Sequence, residues 1–386
     1  MKRNFCFSSL LFCIIIFLFS CENNAVDPPA EEEKEIVENY VDSIHKIISI
    51  SSGDKRTNKI DRFFNTQFRY RIFNGNVLFA EKGEIIYQSA FGMANFREKE
   101  ELTLDHSFQL ASASKPFTSV ATLQLVEKGL INLSDSIQKF IPDFPYDNIT
   151  IHQLLCHRSG MSQYTHFCDH PDSIWPDKMK TITNDDVLNI MSAIVPLINY
   201  PPDHKYYYCN TNFLILASII EKVTKMKFND YLKKYIFNPI GMNSTCVYNR
   251  SNLADLTLPC QGYENRIPWE DVYLNGCVGD KGVYSTTIDM LKFDRALKHN
   301  LLISDSLKQL AHTKKNKNFR NNHNYGYGFR IEYNKKYGKI VYHTGWWKGF
   351  RSLYINVVDK DQTIIVLSNV KRGRFYQINK LVSLLN

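Results

Sequence analysis

FQLASASKPFTSVATLQLVEKG, residues 108–129, is the stretch from which the rest of the chain is best read. Its apolar residues Leu110, Ala111, Phe117, Val120, Ala121, Leu123, Leu125 and Val126 recur at near-helical spacing, which predicts a buried helix. Lys128 and Gly129 supply the stop signal, and Pro116 is tolerable because it falls in the first turn. The helix therefore begins near Ser112. Three residues separate Ser112 from Lys115, so the amine and the hydroxyl share one face. A serine needs such a neighbour to become a nucleophile. The same Ser-x-x-Lys spacing recurs at Ser43, Ser52, Ser136 and Ser368, so spacing alone decides nothing. Context separates Ser112: an unpaired lysine is expensive inside an apolar helix, and the other four lie in polar or mixed surroundings.

The chain has 386 residues with 44% hydrophobic and 22% charged, enough for one large domain or two intimately packed ones. At the N-terminus, Lys2 and Arg3 precede an apolar run over 5–19 that ends in Ser20 and Cys21, the layout of a secretory leader. LFSC at 18–21 resembles a bacterial lipoprotein processing box, which makes Cys21 the lipidated residue; a signal-anchor helix is the alternative, disfavoured by the short run. The expected layout is a leader over 1–20, a tether and N-terminal helix over 21–57, and a catalytic domain over 58–386. The polar, acidic ENNAVDPPAEEEK at 22–34 suits a tether, and 35–50 has a helical apolar pattern. An exported lipoprotein of the bacterial cell envelope, anchored through Cys21, is expected, as a monomer.

Net charge is +8 over the whole chain, and no Lys/Arg block is interleaved with aromatics, so nucleic acid is not an expected partner. Cys156, Cys168, Cys209, Cys246, Cys260 and Cys277 are irregularly spaced, and no specific disulfide is predicted.

Residues 76–87, NVLFAEKGEIIY, read as a hairpin of two short strands around Glu81, Lys82 and Gly83. Between 130 and 300 the pattern is mainly helical: Thr150 caps a helix expected to reach Gly160, and 212–223 is another apolar helix. Strands return at 340–343, 350–358 and 363–367, and a last helix covers 376–385. This predicts an α+β fold, one antiparallel sheet built from both termini with a mainly helical region inserted.

Two further stretches carry chemistry. PPDHKYYYCNTN at 201–212 offers Tyr208 and Asn210 before an apolar helix; a tyrosine near a lysine can share a proton, and an asparagine can position the amine. Tyr-x-Asn also occurs at Tyr146, Tyr263, Tyr273 and Tyr354, and Tyr208 alone is framed by prolines and a buried helix. VYHTGWWKGF at 341–350 closes a strand with His343, Thr344 and Gly345. The glycine is expected to let substrate backbone come close, and the Trp346 amide to join that of Ser112 in an oxyanion hole. A metal site could be drawn from His157, His166, Cys168 and His170, but HFCDH matches no standard zinc spacing.

In this order, Ser112 to Lys115, Tyr208 to Asn210 and His343 to Gly345 resemble the SxxK, YxN and KTG/HTG elements of the serine β-lactamase and penicillin-binding superfamily, in its class C β-lactamase-like branch. FNGNVLFAEKGEIIYQSAFG at 73–92, LLCHRSGMS at 154–162, GDKGVYSTTIDMLKF at 279–293 and YGYGF at 325–329 extend the resemblance over 58–386. The resemblance implies an acyl-enzyme on Ser112 with Lys115 as base. Tyr208 would handle the leaving-group proton, Asn210 would hold Lys115 and the substrate amide, and His343 and Thr344 would meet a substrate carboxylate. It implies no metal and no cofactor. His343 stands where most class C β-lactamases have lysine, which resembles D-alanyl-D-alanine carboxypeptidase-like and esterase members. Cys209 and Asp203 also depart from the usual residues, and neither removes a catalytic group. A peptidase or esterase is expected ahead of a β-lactamase or a non-catalytic peptidoglycan-binding protein.

Overall fold

The computed structural model describes residues 41, 44, 46–169, 175, 177–248, 257–316, 323–372 and 377–386. The expected leader, Cys21, the tether and His170 lie outside the described residues, as does most of the helix expected over 35–50. The chain then joins the fold earlier than residue 58: Ile44 is fully buried, and Ser49 and Ile50 pair with Glu84 and Ile85.

Eight strands make the main sheet: β1 (Ser49–Ile50), β2 (Gly75–Glu81), β3 (Glu84–Phe91), β4 (His323–Tyr325), β5 (Arg330–Asn334), β6 (Gly338–Trp347), β7 (Phe350–Val357) and β8 (Gln362–Ser368). Their order is β1-β3-β2-β8-β7-β6-β5-β4, with β1 parallel to β3 and the other neighbours antiparallel. The two ends of the sequence meet where Leu78 of β2 faces Ile365 of β8, as the pattern of strands at both ends predicts. The β2–β3 hairpin turns through Lys82 (φ 52°) and Gly83 (φ 85°), both left-handed, which matches the twist of the flanking strands.

Five helices organise the faces: α1 (Thr57–Arg69), α2 (Lys115–Glu127), α3 (Asn210–Thr224), α4 (Thr287–Lys298) and α5 (Ile378–Val382). Strand alternation divides the sheet's side chains between two cores. Val77, Phe79, Leu353, Ile355, Ile364 and Val366 pack with Ile60 and Phe64 of α1 and with Leu381 and Val382 of α5. Their alternates Leu78, Ala80, Val341, Tyr354, Ile365 and Leu367 belong to the larger core, which contains α2, α3 and α4. Both faces are covered, which is why these strands read as nearly continuous apolar runs. Each fully buried large apolar side chain contributes roughly 1.5–3 kcal/mol.

Helix α2 is buried on every side for most of its length. Its hydroxyls consequently all need partners, and they find backbone carbonyls: Thr118 donates to Gly279 (2.6 Å), Ser119 to Tyr327 (2.7 Å) and Thr122 to Thr118 (2.8 Å). The helix capped by Thr150 is shorter than its sequence suggests. Thr150 and Gln153 form a capping box, but the helix stops at Leu155, and His157 then adopts a left-handed conformation (φ 57°) that turns the chain toward Tyr208.

Candidate active site

The strand segment Phe108–Gln109 feeds a 3-10 turn, Ala111–Ser114, from which α2 continues at Lys115. Ala111 has φ 50°, a conformation that costs a non-glycine residue on the order of 1–3 kcal/mol and persists only when its surroundings impose it. Ser112, the next residue, is half-buried at the mouth of the turn.

Lys115 is fully buried, and its Nζ reaches three atoms: Asn210 Oδ1 and the Asp280 carbonyl at 2.8 Å each, and Ser112 Oγ at 3.2 Å. Two of these can only accept; the third is a hydroxyl that can also donate. A neutral amine has two N–H donors and one lone pair, so it satisfies this set completely, with the lone pair on Ser112. Burial brings the Lys115 pKa down to about 7, helped by the positive charges of Lys281 and Arg330 and opposed by Asp280.

Tyr208 and Asn210 arrive on the segment entering α3. Gln163, which the sequence did not single out, clamps both: its Nε2 donates to the Tyr208 carbonyl and its Oε1 accepts from the Asn210 amide, each at 2.8 Å. His157 packs against Tyr208 with ring centroids 4.2 Å apart and planes tilted by 39°, and its Nδ1 accepts from the Cys209 amide (3.1 Å). Lys115 Nζ lies 5.0 Å from the Tyr208 ring centre. Burial raises the Tyr208 pKa to about 12, against the opposing influence of Arg330 and Ser112. Its hydroxyl stays protonated near neutrality and, among the described residues, makes no hydrogen bond of good geometry; Ser112 lies close by. Cys209 is buried, its thiol directed at the Ser162 carbonyl (3.4 Å) and pushed up to about 11, so it remains a protonated filler. Asp203 pairs with Arg158.

The end of β6 completes the site, with two differences from expectation. Strand β5 pairs with β6 only as far as Tyr342, so among the described residues 343–347 have a neighbouring strand on one edge alone, and the other edge lies beside the nucleophile turn. At Gly345 an added Cβ would lie 2.0 Å from the Leu110 carbonyl and 2.3 Å from Ser352 Oγ. The glycine thus admits the backbone of the nucleophile turn itself rather than that of a substrate. His343 is fully buried: Nδ1 donates to the Thr344 carbonyl (2.9 Å), leaving Nε2 to accept from Tyr325 Oη (3.0 Å). Its pKa falls well below the usual histidine value through burial and the nearby Arg330 and Lys115 charges. A neutral ring with both nitrogens engaged cannot anchor a carboxylate by charge. Thr344 is half-buried, and Trp346 is 55% exposed with Lys371 Nζ 5.2 Å from its ring.

A positive charge beside Tyr208 is that of Arg330, at the start of β5. Its guanidinium carbon lies 5.2 Å from the Tyr208 ring and 6.0 Å from that of Tyr325, and Nε is buried without a partner. Among the described residues no carboxylate forms an ion pair with it. The sequence signal was available: Arg330 follows YGYGF directly. A second cation, Lys281, is buried beside Asp280 (3.6 Å) and Tyr164, whose hydroxyl also meets both Asp280 carboxylate oxygens at 3.2 Å.

The family model described as Beta-lactamase matches residues 38–384. A penicillin-binding protein of Bacillus subtilis (strain 168) is 34% identical over 332 residues, 82% of this chain and 73% of that protein. A D-aminopeptidase of Brucella anthropi is 25% identical over 332 residues, 82% of this chain and 59% of its own length. The crystal structure of a penicillin-binding protein from Bacillus halodurans superposes with a TM-score of 0.74 at 22% identity, covering 87% of this chain and all of that one, a likeness of fold.

Proposed function

The chain belongs to the Beta-lactamase family, and from that premise we propose that it is a serine hydrolase with peptidase or esterase activity, working through an ester on Ser112. The observation that carries this reading is the contact set of Lys115, which suits a neutral amine with its lone pair on Ser112 Oγ. Lys115 takes the hydroxyl proton as Ser112 attacks the substrate carbonyl carbon, and the amides of Ser112 and Trp346 receive the developing oxyanion. The proton held by Lys115 then replaces one that Tyr208 gives to the leaving nitrogen or oxygen. Water attacks the resulting ester by the same path in reverse, releasing the acid and restoring Ser112. Asn210 holds Lys115, and Thr344 lines the end of β6 beyond its pairing with β5.

Arg330 supports a substrate with an anionic group near the scissile bond, since it is half-buried, no carboxylate among the described residues pairs with it, and its buried Nε lacks an acceptor. The D-aminopeptidase relative makes amides and peptides of D-amino acids the first substrates to try. The short apolar leader and Cys21 support an exported, lipid-anchored protein of the cell envelope.

Intact mass of the chain, followed over time with a penicillin and with Ser112→Ala as control, tests the reading. A stable adduct absent from the variant means a penicillin-binding peptidase. One that decays as hydrolysed drug accumulates means a β-lactamase. No adduct with either penicillin or a serine-reactive phosphonate overturns the assignment.

A further inference from the structure

The backbone that meets Lys115 from the side of residues 278–283 is fixed on both flanks of the contact. The Val278 amide donates to Asn184 Oδ1 (2.9 Å), the Gly279 carbonyl accepts from Thr118 (2.6 Å), and the Val283 amide donates to Ser114 Oγ (3.1 Å). Gly279 (φ 99°) lies so close to α3 that a Cβ there would stand 2.3 Å from the Phe213 carbonyl. The Asp280 carbonyl is thereby presented to Lys115 Nζ at 2.8 Å. With the carbonyl held there, the direction of the Asp280 carboxylate decides whether the amine also gains a countercharge.

Tyr164 and Lys281 set that direction. Asp280 and Lys281 are each 3% exposed, and Tyr164 is fully buried. The Tyr164 hydroxyl shares its proton between the two carboxylate oxygens, 3.2 Å from each, and accepts from Lys281 Nζ. That ammonium lies 3.6 Å from Asp280 Oδ1, donates to the Cys277 carbonyl (3.4 Å), and sits 5.0 Å from the Tyr164 ring and 5.1 Å from that of Trp347. Burial and the Asp280 charge raise the Tyr164 pKa well above the ordinary tyrosine value, so the phenol keeps the proton it donates. Tyr164 is anchored in turn, its amide donating to Thr211 Oγ1 (2.8 Å) in the first turn of α3. A buried ion pair is an inefficient way to stabilise a fold, because desolvation offsets the attraction. This one is placed where it governs the charge beside the base. We propose that Lys281 is a positioning residue for Lys115: through Tyr164 it holds the Asp280 carboxylate turned away while the Asp280 carbonyl stays bonded to the amine. This role presupposes that Lys115 is the base serving Ser112.

Lys115 also faces Arg330, the Cys209 thiol, Tyr208, and the neutral His157 and His343, all of which are kept in the variants that test this role. The readout is the rate at which a fluorophosphonate modifies Ser112 in the full chain across the pH range, followed by intact mass with Ser112→Ala as control. In the wild type the rate should rise through a limb near 7. Lys281→Met frees the carboxylate and should move the limb up by about one pH unit. Asp280→Asn, which keeps the side-chain shape, should move it down. Combining the two removes both charges and should bring the limb back close to its wild-type position. A merely structural role for Lys281 would lower the melting temperature and the rate at every pH while leaving the limb in place, and that result would overturn the proposal. An unmoved limb in folded Asp280→Asn would overturn it even where Lys281→Met fails to fold. No modification of the wild type at any pH would sink the acyl-enzyme reading itself, and this role with it.

Discussion

Lys115 bonds the backbone carbonyl of Asp280 at 2.8 Å, while the Asp280 carboxylate is engaged by Tyr164 and Lys281. The nearest acid is thereby turned away from the amine that a proton would charge, and burial prevails, holding Lys115 to about 7. Acylation should therefore rise with pH through a limb near 7 and flatten above it, measured as kcat/KM on an ester substrate. A limb above pH 9 would show Lys115 charged at neutrality and exclude it as the base.

The same shift has a stability consequence with a definite sign. Between about pH 7 and the ordinary lysine value of 10.5, unfolded chains bind a proton at Lys115 that folded chains do not. Stability at this site therefore rises with pH across that window, and the cost of burying the lysine is greatest below it. Relative to Lys115→Met, the wild-type melting temperature should climb between pH 7 and 9. Parallel curves for the two proteins would contradict the shift.

Arg330→Gln should weaken substrates bearing a carboxylate beside the scissile bond by about tenfold to a hundredfold in KM, the scale of one charge-assisted hydrogen bond, and leave neutral esters much less affected. Because Arg330 also depresses Lys115, the acid limb should move to higher pH. Equal losses on charged and neutral substrates would point to a folding role instead.

His343 and His157 should both stay neutral well into the acid range, since each is fully buried with Lys115 and Arg330 nearby. Histidine ring NMR from pH 8 to 5 should show both resonances fixed while exposed histidines move. A His343 titration near 6.5 would restore it as a candidate charge for a substrate anion.

Much of this was legible because the signals were local. The Ser112–Lys115 pair, the hairpin at Lys82–Gly83 and the Thr150 cap follow from spacing and from turn and capping chemistry within a few residues. Gly345 signals a close approach by its type, but the approaching group, the Leu110 carbonyl, is far away in sequence. Arg330 stands directly after YGYGF, but its burial was illegible for a related reason. A lone arginine on a strand looks like surface, and its burial arises only when β4, β5 and the Tyr208 segment come together. The pairing of Ser49–Ile50 with β3 depended likewise on a distant edge that two residues could not announce.

One further test concerns how α4 is fastened to the sheet behind the site. Asp294 is fully buried and accepts from Arg295 (2.6 Å), Thr363 (2.6 Å), Tyr354 and Asn356 (2.7 Å each), joining α4 to β7 and β8. Burial alone would raise its pKa, but the Arg295 charge and these donors reverse the sign and hold it below the usual carboxylate value. A depressed folded pKa contributes stability above the unfolded value of about 3.9 and loses it as pH falls through the folded one. Asp294→Ala should therefore destabilise by about 3–5 kcal/mol at pH 7, since it leaves Arg295 with Asp361 alone and takes the acceptor from Tyr354, Asn356 and Thr363. The deficit should shrink in strong acid. Denaturant unfolding at pH 7 and pH 3 measures both, and a loss under about 1 kcal/mol at neutrality would mean that water or Asp361, which lies 2.7 Å from Arg295, takes over the role of Asp294.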